Sequence, residues 1–107
     1  MPRNGNSKVR ATRSNVFEDL GFTAEEAAIL QVKTQLHIEI MRAIHQQKLT
    51  PRQLEKVLGV PQPRVSELLT GKISRTTADL LTKYLYRLGR EVTMKTRATR
   101  GREVIIA

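Results

Sequence analysis

Cysteine and tryptophan are absent from the 107 residues, and aromatic residues of all kinds make up only 4%. Without cysteine the chain can form no disulfide and offers no thiolate to a metal, and a reducing compartment suits it. No apolar run approaches the roughly 18 residues that a membrane span requires. The N-terminal MPRNGNSKVR also lacks the apolar segment of a signal peptide. These absences predict a cytoplasmic protein with no membrane partner. Histidine is scarce as well: His37 and His45 stand eight positions apart, about 12 Å along one helix, too far to share a metal. His37, at the edge of an apolar stripe, is expected to be a packed or interfacial residue. No glycine-rich phosphate loop, serine nucleophile motif or carboxylate cluster occurs, and a chain this short has little room for an enclosed active site. The chain is therefore read as a non-enzyme with no metal or cofactor, a small basic nuclease being the enzyme class that competes.

Acidic residues are also in short supply. Ten Asp and Glu face 19 Lys and Arg, a formal charge of +9, and an excess of that size in a small chain favours a polyanionic partner such as nucleic acid. Residues 1–14 carry Arg3, Lys8, Arg10 and Arg13 with no acid and almost no large apolar group. Burial cannot offset their ordering entropy, so they are expected to form a disordered basic arm. Residues 15–48 reverse the sign, with Glu18, Asp19, Glu25, Glu26 and Glu39 against Lys33, Arg42 and Lys48. Residues 49–75 reverse it again: Arg52, Lys56, Arg64, Lys72 and Arg75 outnumber Glu55 and Glu67. The polyanion is expected at this last stretch.

Apolar spacing predicts four helices. Ala28, Val32, Leu36, Ile40 and Ile44 recur every fourth residue, with Ile29, Met41 and Ala43 widening the stripe, so a long amphipathic helix is expected over about residues 24–47. Its apolar face is wider than one small core can use, which points to a partner sharing it. Thr50-Pro51-Arg52-Gln53 then signals a helix start: Thr50 can cap, Pro51 suits the first turn, and Gln53 completes a capping box. That helix should end near Leu58, with Gly59 taking the left-handed conformation that stops it.

The following stretch, GVPQPRVSELLTGK over residues 59–72, places prolines on both sides of one glutamine. Pro61 ends a turn and Pro63 falls in the first turn of a third helix, so neither removes a hydrogen bond that the helix needs. Gln62 is then either the cap or the first helical residue. Val65, Leu68 and Leu69 should face inward, leaving Gln62, Arg64, Ser66 and Glu67 outside, and Thr70-Gly71-Lys72 should close the helix. A fourth helix over about residues 77–88 would bury Leu80, Leu81, Tyr84, Leu85 and Leu88 and stop at Gly89.

Two short helices joined by a tight glycine-containing turn form a helix-turn-helix, whose second helix enters the DNA major groove with its first residues at base edges. Gln62 can pair with adenine and Arg64 with guanine; Ser66 and Glu67 follow on the same exposed surface as candidate base contacts. Thr50, Arg52, Thr70, Lys72 and Arg75 are suited to phosphate, which positions without specifying.

LTPRQLEKVLGVPQPRVSELLTGK, residues 49–72, resembles the Xre/lambda-repressor-like family. Over about residues 15–92 the order NVFEDLGF, long helix, LGVPQPRVSELLTGKISR and YLYRLG is similar to its small HigA-type antitoxin-like branch. The resemblance implies an all-α, lambda-repressor-like helix-turn-helix bundle of four to five helices with a short C-terminal β-strand or tail. It also implies a homodimer on a palindromic operator in double-stranded DNA, repressing transcription, and a ribonuclease toxin as partner. In the alternative setting the chain is a protein-interaction module that mainly masks that toxin. Two positions depart from the family pattern. Pro51 occupies the place of a glutamine that buttresses the recognition helix, and Glu55 stands where a small residue packs the two helices. Glu55 should either loosen the interhelical angle or snorkel toward Arg52 or Lys56.

The C-terminal stretch 90–107 changes character: Val92 and Met94 alternate with polar residues, and Val104-Ile105-Ile106 is β-prone. A lone hairpin is marginal in water, so residues 91–95 are expected to pair with a dimer mate or another partner and the remainder to form a basic tail. The organisation read from the chain is an arm over 1–14, a helix-turn-helix domain over 15–89 and a strand or tail over 90–107.

Overall fold

A computed structural model of the protein describes residues 20–99 and residue 104. The expected basic arm and most of the NVFEDLGF segment lie outside the described residues, as do Ile105 and Ile106. Four helices follow in order: α1 Ala24–Gln47, α2 Pro51–Leu58, α3 Gln62–Leu69 and α4 Ala78–Arg87. The fold is all-α, as expected, and no strand occurs among the described residues. Residues 91–95 take no strand conformation, and Met94 stays 76% exposed. A strand needs a neighbour to receive its backbone hydrogen bonds, and the described chain supplies none.

Each helix begins at a polar side chain that accepts from its open amides, α3 excepted. Thr23 and Glu26 form a reciprocal capping box at α1, and Thr77 accepts from the Leu80 amide at α4. The core is built from α1 and α4, with α2 and α3 closing its side: Ile40, Leu54 and Leu81 are completely buried, and Val65 and Tyr84 nearly so. Side-chain bonds from α1 lock the far end of α4. Gln47 Nε2 donates to the Leu88 carbonyl at 2.8 Å, and the Arg90 guanidinium donates to Gln46 Oε1.

Helix α1 overshoots this bundle. Its 24 residues extend about 36 Å, roughly twice or more the length of any of the other three helices. Most of its covered side chains lie in the C-terminal half, where Leu36, Ile40, Ala43 and Ile44 are buried; in the N-terminal half Ala27 is buried, but Ile29 is 55% and Val32 48% exposed. The expected stripe is therefore corrected at its start, where Ala27 and not Ala28 turns inward. The excess apolar width legible in the sequence corresponds to this projecting half.

Among the described residues one buried side-chain atom is left without a partner. Tyr84 is buried to 2% exposure and its hydroxyl has no hydrogen-bond partner. A buried unpaired hydroxyl is destabilising, whereas phenylalanine fills the same ring volume without it. Tyr84→Phe is expected to stabilise the fold by about 1 kcal/mol, a rise of several degrees in Tm by differential scanning calorimetry. A lowered Tm would show that the hydroxyl is satisfied in solution.

Candidate nucleic-acid interface

Helix α2 is set by its first turn. Thr50 Oγ1 accepts from the Gln53 amide at 3.2 Å, and Gln53 Oε1 accepts from the Thr50 amide at 2.8 Å, the capping box expected from the sequence. Leu54 and Leu58 are its two buried anchors. Gly59, at φ 68°, then turns the chain, and the Gly59 and Val60 amides both return to the Glu55 carbonyl. The Glu55 side chain is half-buried and forms no ion pair with Arg52 or Lys56, so the expected snorkelling pair is not made.

Helix α3 starts without a side-chain cap. Pro61 holds the cap position in extended backbone, Gln62 is the first helical residue, and the Arg64 and Val65 amides share the Pro61 carbonyl at 3.0 and 3.2 Å. Of the two placements open to Gln62, the structure takes the helical one. Val65 and Leu68 are buried, which turns Gln62, Pro63, Arg64, Ser66 and Glu67 outward, every one of them exposed. Positions two apart on a helix diverge by about 200°, so Gln62 and Arg64 stand on opposite flanks of this exposed face.

The end of α3 is pinned by main chain. The Lys72 amide donates to the Glu67 carbonyl at 2.9 Å and the Gly71 amide to the Leu68 carbonyl at 3.2 Å, with Gly71 at φ 80°. Thr70 donates its hydroxyl to the Ser66 and Glu67 carbonyls, a bond that a phosphate contact would have to replace. Ile73 is buried, anchoring the loop that carries Lys72 and Arg75, both exposed. This loop residue was missed from sequence because no helical period flags it.

An open groove runs between the outer face of α3 and the projecting half of α1. Arg64 and Glu67 line it from α3, Thr34 and His37 from α1, and Lys72 and Arg75 from the loop between. Among the described residues the one ion pair is Arg42–Glu39 on α1, at 2.7 Å. Arg52, Arg64, Lys72 and Arg75 are exposed and form no ion pair with any carboxylate among the described residues. His37, expected from sequence to be packed or interfacial, places Nε2 2.7 Å from the Leu68 carbonyl. Lys33, which the sequence reading did not single out, donates to the Ser74 carbonyl at 3.1 Å. Their signal was the four-residue spacing that puts two polar side chains on one face of a helix otherwise read for its apolar stripe.

No group of three or more His, Cys, Asp or Glu that could hold a metal occurs among the described residues, and no helix there is long and apolar enough to cross a membrane. A helix-turn-helix domain family model matches residues 16–97. The chain belongs to this helix-turn-helix family. A solved structure assigned as an XRE-family transcriptional regulator is similar to it, with 26% identity and a TM-score of 0.60 over 70% of this chain and 85% of that one. No curated protein matches the chain. Helices α2 and α3, with the turn between them, lie within the matched residues.

Proposed function

We propose that this helix-turn-helix protein is a sequence-specific transcriptional repressor that binds double-stranded operator DNA as a cytoplasmic homodimer and serves as the antitoxin of a toxin–antitoxin pair. The observation that carries the DNA reading is the exposed tip of α3, which has no side-chain cap and borders a groove lined by Arg64, Lys72 and Arg75, none of them in an ion pair among the described residues. In this reading Gln62, Arg64, Ser66 and Glu67 meet base edges, and Thr50, Arg52, Lys72 and Arg75 meet phosphate, with Thr70 joining them if its hydroxyl exchanges partners. The similarity to an XRE-family regulator supports the repressor role. For the dimer, support comes from Tyr86, 79% exposed at the end of α4, and from the unpaired, exposed Val92 and Met94 that follow it.

A second reading, in which the chain mainly masks a ribonuclease, is favoured by the uncovered Ile29 and Val32 on α1, beside the acidic first turn Glu25 and Glu26. A small basic protein suits such a surface. Stoichiometric co-purification of a basic partner supports masking, and operator footprinting by the pure chain supports repression.

The test of the DNA reading is the salt dependence of binding. A dimer presenting Arg52, Lys72 and Arg75 twice should show log K falling with log salt at a slope of about −4 to −6. Light scattering on the same sample should give the mass of a dimer, because specific affinity requires two half-sites. A slope near zero removes nucleic acid as the partner, and a monomer that binds specifically removes the dimer.

A further inference from the structure

The last carbonyls of a helix have no partner within it, and the end of α3 is no exception. The Lys72 amide, which a regular helix would send to Leu68, goes instead to Glu67. The Leu68 carbonyl therefore takes the Gly71 amide at 3.2 Å and, from α1, the His37 ring at 2.7 Å. One turn earlier on the same face of α1, Lys33 reaches the Ser74 carbonyl at 3.1 Å. Residues 68 and 74 bracket the turn that carries Lys72 and leads into Arg75. The ring also sits against that turn: a Cβ built on Gly71 would lie 3.9 Å from His37 Cε1. A carbonyl can only accept, so Nε2 must carry a proton, which it does both in one neutral tautomer and in the imidazolium.

We propose that His37 and Lys33 are positioning residues of the DNA-binding surface, holding through the Leu68 and Ser74 carbonyls the loop that presents Lys72 and Arg75 to phosphate. This inference rests on the DNA reading given under Proposed function. Neither side chain needs to touch DNA. Their work is to remove the freedom of a segment that ends a helix and begins a loop, so that two long cationic side chains start from a fixed backbone.

The distinguishing test is His37→Ala in the full chain, which keeps α1 helical and leaves every Lys and Arg in place. Binding to operator and to random DNA should weaken together, on the order of tenfold, because phosphate contacts carry no sequence information. The salt slope of the dimer should become shallower by about 1–2 although no cation has been removed. His37→Gln, whose amide can still donate to Leu68, should recover most of both. In the wild type, nitrogen chemical shifts should show the His37 proton on Nε2. Should His37→Ala prove unfolded by circular dichroism, Lys33→Met cuts the other tether outside the core. A fall in slope that shrinks or vanishes when Lys33→Met is made in a chain already carrying Lys72→Ala and Arg75→Ala indicates that Lys33 acts through those two cations. No fall, or a fall that persists undiminished there, identifies Lys33 as at most a direct contact and overturns the proposal. It is equally overturned by a folded His37→Ala protein that keeps the wild-type slope, or that loses operator affinity alone. If the wild type itself shows no salt-dependent DNA binding, the DNA reading has failed instead.

Discussion

Arg64→Ala is expected to cost about 1–3 kcal/mol per half-site on the cognate operator, about twice that for a dimer engaging both halves, and to relax selection at a guanine. The expectation comes from where the side chain stands. Arg64 is at the third position of α3, exposed, and free of any carboxylate within the described residues, so its guanidinium can offer the paired donors that guanine N7 and O6 accept. Binding to random DNA should fall much less. Gln62→Ala should relax a different base pair, since the two side chains leave opposite flanks of the helix. Lys72→Ala should weaken every sequence nearly equally and make the salt slope shallower. All three positions are exposed, so thermal stability should survive each change. Operators selected by each variant from a randomised pool provide the measurement. If Arg64→Ala returns the wild-type consensus at every position, α3 is not reading bases through this residue.

The helix boundaries were legible because the signals that set them are local. Thr50 and Gln53 lie three residues apart and cap each other; Gly59 and Gly71 stand where the chain must take a left-handed conformation; Pro61 and Pro63 frame a helix start that costs no hydrogen bond. A one-residue error at the start of the α1 stripe, Ala28 for Ala27, arose where that signal weakens. Ala28 leads the four-residue period through Val32, Leu36, Ile40 and Ile44, whereas the period from Ala27 runs through Gln31, Gln35 and Glu39, so periodicity favours the alanine that the fold leaves exposed. Lys48 closes α1 at φ 53° without a glycine to announce it. The C-terminal alternation around Val92 and Met94 is a different case: it encodes a preference that needs a partner strand, and the described chain does not contain one.

The outward face of α3 was readable for the same local reason, since burying Val65 and Leu68 leaves a single orientation for the remaining side chains. What surrounds that face was not. The burial of Ile73 and the ties from Lys33 and His37 depend on how the helices pack together, α1 against the end of α3 above all. His37 and Leu68 are 31 positions apart, beyond the reach of any periodic pattern. Composition located the cations but could not say that they would be unpaired, because Glu55 and Glu67 stood close enough in sequence to neutralise some of them.

Leu54→Ala is expected to be the most damaging single change to the domain, at about 2–5 kcal/mol out of a total of roughly 5–15. Helix α2 has eight residues, far fewer than the 12 to 15 or so that make an isolated helix even marginal, so tertiary anchorage holds it in place. It has two buried anchors, and Leu54 is the one with no exposure at all. Removing three of its carbons leaves a cavity beneath α2, against which α3 packs, so operator binding should fall together with the folded fraction. Ile29→Ala supplies the contrast. It deletes a similar apolar bulk, but from the projecting half of α1, where the side chain is already 55% exposed, and should cost less than about 1 kcal/mol. Urea unfolding of both variants, compared at equal m-value, is the measurement. Equal losses would mean that the N-terminal half of α1 is covered in the free protein. That covering would have to come from a second copy of the chain or from residues outside those described, and the uncovered face assigned to a basic partner would then be closed to it.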